Sequence, residues 1–115
     1  MIPVISIRPR LGGELTVAEG RKRGLVMHGF PLSQPAAVDW RGPDAEEIDG
    51  LLVGSARAFT HGGSGLAHYR GKPVYAVGPT TAKLAAEAGF AVEQAGSGGL
   101  QEVLDRIARR PLTLL

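Results

Sequence analysis

The stretch Asp49-Gly-Leu-Leu-Val-Gly-Ser-Ala-Arg57 has the grammar of a parallel α/β protein. A short apolar strand, Leu51 to Val53, stops at Gly54. Ser55 and Arg57 follow at once, where a helix is expected to begin. The same order returns in Pro73-Val-Tyr-Ala-Val-Gly-Pro-Thr-Thr-Ala82. There a strand runs into Gly78, and Pro79 stands at the first helical position, which tolerates its missing N–H. In an open parallel sheet such strand-end turns line the crevice where ligands bind. Helix N-termini there offer unpaired N–H groups and a partial positive charge to anions.

Outward from these turns, strands and helices alternate. Pro3-Val-Ile-Ser-Ile7 reads as a strand covered on both faces, ended by Arg8-Pro9. Leu11, Leu15 and Ala18 recur at helical spacing, with Gly24 as the C-terminal stop. Leu25 to Met27 is expected to be a second strand, and Phe30 to Pro43 an extended, proline-rich connection. Asp44 to Ile48 suits a short helix. Ala82 to Ala88 is strongly helix-forming and Gly89 stops it. Phe90 to Val92 reads as a strand and Gly96 to Gly99 as a turn. Leu100, Val103, Leu104, Ile107 and Ala108 form an amphipathic stripe. Leu112 to Leu115 reads as a last strand. The pattern argues for a parallel sheet with right-handed crossovers.

Composition sets bounds. The 115 residues suffice for one core, with 43% hydrophobic and 21% charged residues, as in an ordinary globular protein. With no cysteine, disulfides and thiolate metal sites are excluded, which fits a reducing cytoplasm. No apolar run approaches the roughly 20 residues of a membrane span, and no signal peptide is visible. A net charge of +2 and few aromatics argue against nucleic acid. Basic residues gather early, at Arg8, Arg10, Arg21, Lys22 and Arg23, whereas residues 39–49 are acidic.

Several motifs read more simply as structure. Gly62-Gly-Ser-Gly65 and Gly96-Ser-Gly-Gly99 lack the lysine of a phosphate loop, so they are expected to be turns. His61 and His68 have no third ligand in view. Neither Ser55 nor Ser64 stands in a nucleophile elbow. Trp40 is either a packed side chain or a partner contact. Ser55 and Thr81 are as readily helix caps as ligand contacts, although two such turns with Arg57 beside one favour binding.

Three segments together resemble the uroporphyrinogen-III synthase family. Val4-Ile-Ser-Ile-Arg-Pro9 with Gly13-Glu-Leu-Thr16 resembles its opening strand and helix. Leu51-Leu-Val-Gly-Ser-Ala-Arg-Ala58 is similar to its strand ending in a Thr-Ser-Ala-Asn type turn. Pro73 to Ala82, followed by Ala88-Gly-Phe90, resembles its Val-Gly-x-x-Thr-Ala segment. Gly54 stands where the family usually has threonine, and Arg57 where asparagine is common. The family has two domains, and this sequence matches about the first half.

The resemblance implies an α/β fold with a parallel sheet of flavodoxin-like type and flanking helices. Residues 1–32 would be a strand-helix-strand piece of a first, incomplete domain, and residues 33–115 a nearly complete second domain. It implies cyclisation of hydroxymethylbilane to uroporphyrinogen III, with inversion of the last pyrrole ring and loss of water. No metal or organic cofactor is implied, nor a nucleic-acid or membrane partner. Ser55, Ala56 and Thr81 would hold substrate carboxylates, with Arg57, Gly78 and Thr80 in the same turns and Arg8 at the rim of the facing domain. No residue is assigned as general acid, and the 115-residue chain alone is expected to be inactive. The alternative is a non-catalytic binding module of the same descent, a homodimer exchanging its first strand and helix. A receiver-like signalling domain would need acids where Arg8-Pro9 and Gly54-Ser55 stand.

Overall fold

The computed structural model describes residues 2–115. The chain forms two compact units, Met1–Ala36 and Ala37–Leu115. In the first, strand β1 (Val4–Ser6) pairs in parallel with β2 (Met27–Gly29), Val4 opposite Met27 and Ser6 opposite Gly29. Helix α1 (Gly12–Lys22) makes the crossover and buries Gly13, Val17 and Gly20. Parallel strands require such a crossover.

The β1 segment is not covered on both faces as its apolar run suggests. Ser6 and Met27 are buried, but Ile5 and Ile7 are 62% and 56% exposed. Side chains alternate across a strand, and α1 covers one face of a sheet only two strands wide.

The second unit holds β3 (Leu51–Val53), β4 (Val74–Ala76) and β5 (Val92–Ala95), parallel and in that order. Between β3 and β4 lie helix α2 (Arg57–His61) and a 3-10 helix, Ser64–Tyr69. Helix α3 (Pro79–Glu87) links β4 to β5, and α4 (Leu100–Ile107) follows β5. A second 3-10 turn, Ala45–Glu47, precedes β3 where a short helix is expected.

The sheet carries a core on each face. Leu51, Val53, Val74, Ala76, Tyr69, Ala85 and Phe90 form one. Tyr75, Val103 and Ile107, with Leu52, Leu112 and Leu114 against them, form the other. Period-2 alternation along β4 explains the division: Val74 and Ala76 face one layer and Tyr75 the other.

The last segment, Leu112 to Leu115, forms a single parallel bridge, Leu114 with Gly50, rather than a full strand. Backbone bonds nonetheless tie it to the side of β3 away from β4: Leu52 N–H donates to Leu115 O (2.9 Å) and Leu115 N–H to Gly50 O (3.1 Å). The chain thus builds β3, β4 and β5 in one direction and then returns to the far side of β3. That reversal is a topological switch point, and ligands in such sheets bind at the carboxyl ends of the flanking strands.

Two strands begin later than the apolar runs suggest, β2 at Met27 instead of Leu25 and β5 at Val92 instead of Phe90. The cause is the same in both. Gly24 and Gly89 adopt left-handed φ values of 83° and 90°. The next residue then donates its N–H back into the helix, Leu25 to Gly20 O and Phe90 to Ala85 O, each at 3.0 Å. A residue held in a helix cap cannot also open a ladder.

Candidate functional site

The candidate site is the carboxyl edge of the three-stranded sheet. Val53 and Ala76 are register partners, and Val77 N–H donates to Val53 O at 3.0 Å. The turns after β3 and β4 are therefore neighbours. Gly54 and Ser55 are exposed, and Ala56 is half-buried. Ser55 Oγ accepts the Arg57 N–H at 3.2 Å, a local serine turn just before α2 rather than a cap of that helix. The Ser55 and Ala56 N–H groups have no acceptor among the described residues. The exposed guanidinium of Arg57 has no ion-pair partner among them either.

In the second turn Gly78 caps α3 and Pro79 is its first residue. The Ala82 N–H is taken by Gly78 O (3.0 Å), which leaves the Thr80 and Thr81 N–H groups of the first turn without an acceptor among the described residues. Thr80 is exposed, whereas Thr81 is only 6% exposed. Burial thus leaves Thr81 little surface at this edge. The edge is an open rim, and its N–H groups and Arg57 favour anions.

A third turn joins the rim that the sequence alone did not connect to it. A Cβ on Gly78 would lie 3.6 Å from Gly98 Cα. This turn is already closed on a carboxylate of the chain. Glu102 Oε2 accepts both the Ser97 N–H (3.0 Å) and the Ser97 hydroxyl (2.6 Å). Its Oε1 accepts from Arg106 at 2.9 Å. The five-residue offset from Ser97 to Glu102, across the start of α4, was the legible signal. The Ser97 bonds hold the Glu102 carboxyl below the ordinary range.

The sign of the pH effect follows. A lowered native pKa stabilises the fold above the unfolded value of about 4.3 and loses that contribution as pH falls towards the native value. Glu102→Gln is therefore expected to flatten the acid limb of a stability-against-pH curve and to leave the alkaline limb unchanged. An acid limb identical to that of the parent would overturn this role.

Trp40 is a packed side chain. Its Nε1 donates to Gly62 O at 2.7 Å, and its ring stacks on Tyr69 with centroids 6.3 Å apart. Gly62 thus closes the end of α2 under the indole, while Ser64 and Gly65 already open the 3-10 helix instead of forming the expected turn. On the other sheet face, the Tyr75 hydroxyl donates to Glu93 (3.1 Å), which also accepts from Arg110 (3.0 Å). Burial first, and then Glu93, push the Tyr75 phenol upward.

Arg8 belongs to the Met1–Ala36 unit. Its Nη1 donates to Thr16 Oγ1 (2.6 Å) and Gly12 O (3.3 Å), so it is pinned over the first turn of α1.

Fold and rim together define a parallel α/β protein whose strand-end turns are suited to an anionic ligand. No protein-family model matches the chain, and no curated protein matches it. No helix among the described residues is long and apolar enough to cross a membrane.

Proposed function

We propose that this chain supplies the N-terminal half of a uroporphyrinogen-III synthase, a lyase that cyclises hydroxymethylbilane in cytoplasmic tetrapyrrole biosynthesis. The observation that carries the reading is the pair of adjacent strand-end turns. Their unpaired donors at Ser55, Ala56, Thr80 and Thr81, with Arg57 beside them, suit a substrate bearing many carboxylates. Such an edge would act by holding a flexible chain so that the correct ring carbon is attacked. No proton donor is assigned.

The test is product analysis with hydroxymethylbilane, oxidising the products and separating isomers I and III. Isomer I forms without an enzyme. The expected result is isomer I alone from the 115-residue chain and an excess of isomer III once the complementary half is supplied. Isomer I alone in both cases would remove the catalytic assignment.

A second reading, a non-catalytic module that dimerises with its own copy, is favoured by the open sheet face of the first unit. Ile5, Ile7 and Phe30 there are each more than half exposed. Units below about 40 residues usually need covering or cross-linking to be stable. Light scattering separates the readings, since a dimer of the isolated chain supports the second and a monomer removes it.

A further inference from the structure

The strand-end rim leaves unused a basic cavity in the Met1–Ala36 unit. It measures about 470 Å³ and is lined by Arg8, Arg10 and Arg21, with Glu14 as its one carboxylate. Val17, Ala18 and Pro31 supply apolar wall. The volume falls within the range of roughly 300–1,000 Å³ usual for small-molecule sites.

Each guanidinium is anchored locally and keeps donors to spare. Arg8 spends Nη1 on Thr16 and Gly12, which leaves Nη2 and Nε. Arg21 directs Nε (3.2 Å) and Nη2 (2.9 Å) at Met27 O, which leaves Nη1. Arg10 uses Nε on Glu14 at 3.4 Å and keeps both terminal nitrogens. Anchoring by backbone and hydroxyl oxygens orients the arginines without neutralising them. Of the three, only Arg10 has an ion-pair partner among the described residues. Three guanidinium charges therefore face one carboxylate around an apolar wall.

We propose that this cavity binds a small organic dicarboxylate with an apolar ring. Two carboxylates would balance the excess charge, and the planar guanidiniums can engage them in pairs. The ring would cover Val17, Ala18 and Pro31. This site does not rest on the synthase reading, because it is built from one unit and needs no turnover.

The experiment is calorimetric titration of the full chain with phthalate, and with inorganic sulfate as the charge-matched ion lacking a ring. Saturable phthalate binding at least tenfold tighter than sulfate is expected. Ala18→Glu puts a negative charge on the wall at an exposed, helix-tolerant position. It should weaken phthalate at least tenfold without changing the melting temperature. Arg8→Gln should weaken it about threefold or more. Equal affinity for phthalate and sulfate would overturn the proposal, as would unchanged phthalate affinity in Ala18→Glu. The isomer assay reads neither quantity, so failure of one proposal leaves the other standing.

Discussion

Leu51→Ala is expected to destabilise the Ala37–Leu115 unit by about 2–5 kcal/mol. Leu51 is 2% exposed and belongs to the larger core cluster with Val53, Val74 and Phe90. It also lies on the strand that links both sides of the sheet. Its N–H donates to Pro73 O at 2.9 Å, while the next residue bonds the returning segment at Leu115. Truncation leaves a cavity that these tethered neighbours cannot close, so the cost combines lost burial with the void. Against a usual total of 5–15 kcal/mol, that is a large share. For a domain of this size each kcal/mol lowers the midpoint by about 4–8 °C. Urea unfolding followed by circular dichroism should show a lower midpoint at constant slope. A loss below about 1 kcal/mol would contradict the placement of Leu51 in the core.

The second large effect is expected at Gly96. A Cβ there would fall 2.5 Å from Val77 O and 2.8 Å from Val103 Cγ2. Neither neighbour can yield. Val77 O accepts the Gly98 N–H at 3.0 Å, and Val103 is wholly buried. Gly96→Ala must therefore push the turn off the sheet, at a cost of about 1–3 kcal/mol. Gly99, three residues on, is the control. A Cβ there meets nothing within 4 Å, and its φ of −110° suits any residue. Gly99→Ala should lose only the preference of the α4 N-cap for glycine over alanine, about 0.5–1 kcal/mol. Equal effects at the two positions would refute the close approach of the turn to β4. Because Gly98 adjoins Gly78, Gly96→Ala is also expected to disturb the rim.

These two positions mark how legibility divided. Leu51 to Val53 could be read as a strand because three apolar residues stop at a glycine, and the strand has those bounds. Pro79 was readable as a first helical residue because its ring presets φ and its missing N–H goes unneeded there. Of the stripe from Leu100 to Ala108, the period found the helix and its buried Val103 and Ile107, whereas Leu100 and Ala108 at its ends are exposed. Gly96 was readable only as part of a turn. That a Cβ added there would fall 2.5 Å from Val77 O, just past β4, depends on a contact across nineteen residues of chain, which no local pattern encodes.

The candidate site divides in the same way. Ser55 and Thr80 stand after strand-ending glycines, and that order is written in the chain. Thr81 reads as their equal, yet the turn of α3 rotates it inward while Thr80 stays out. A rotation of about 100° per residue separates them, and only the docked helix says which faces the core.

By itself the sequence determined the alternation of strands and helices, their glycine stops and the two hydroxyl-bearing turns. These follow from local φ preferences and side-chain period, which act within a few residues. Tertiary structure alone decided that the last segment returns beside β3. It also decided that the Gly96 turn packs against Val77 and that Gly98 adjoins Gly78. Each of these depends on which surfaces are buried together, and burial is settled between segments far apart in sequence.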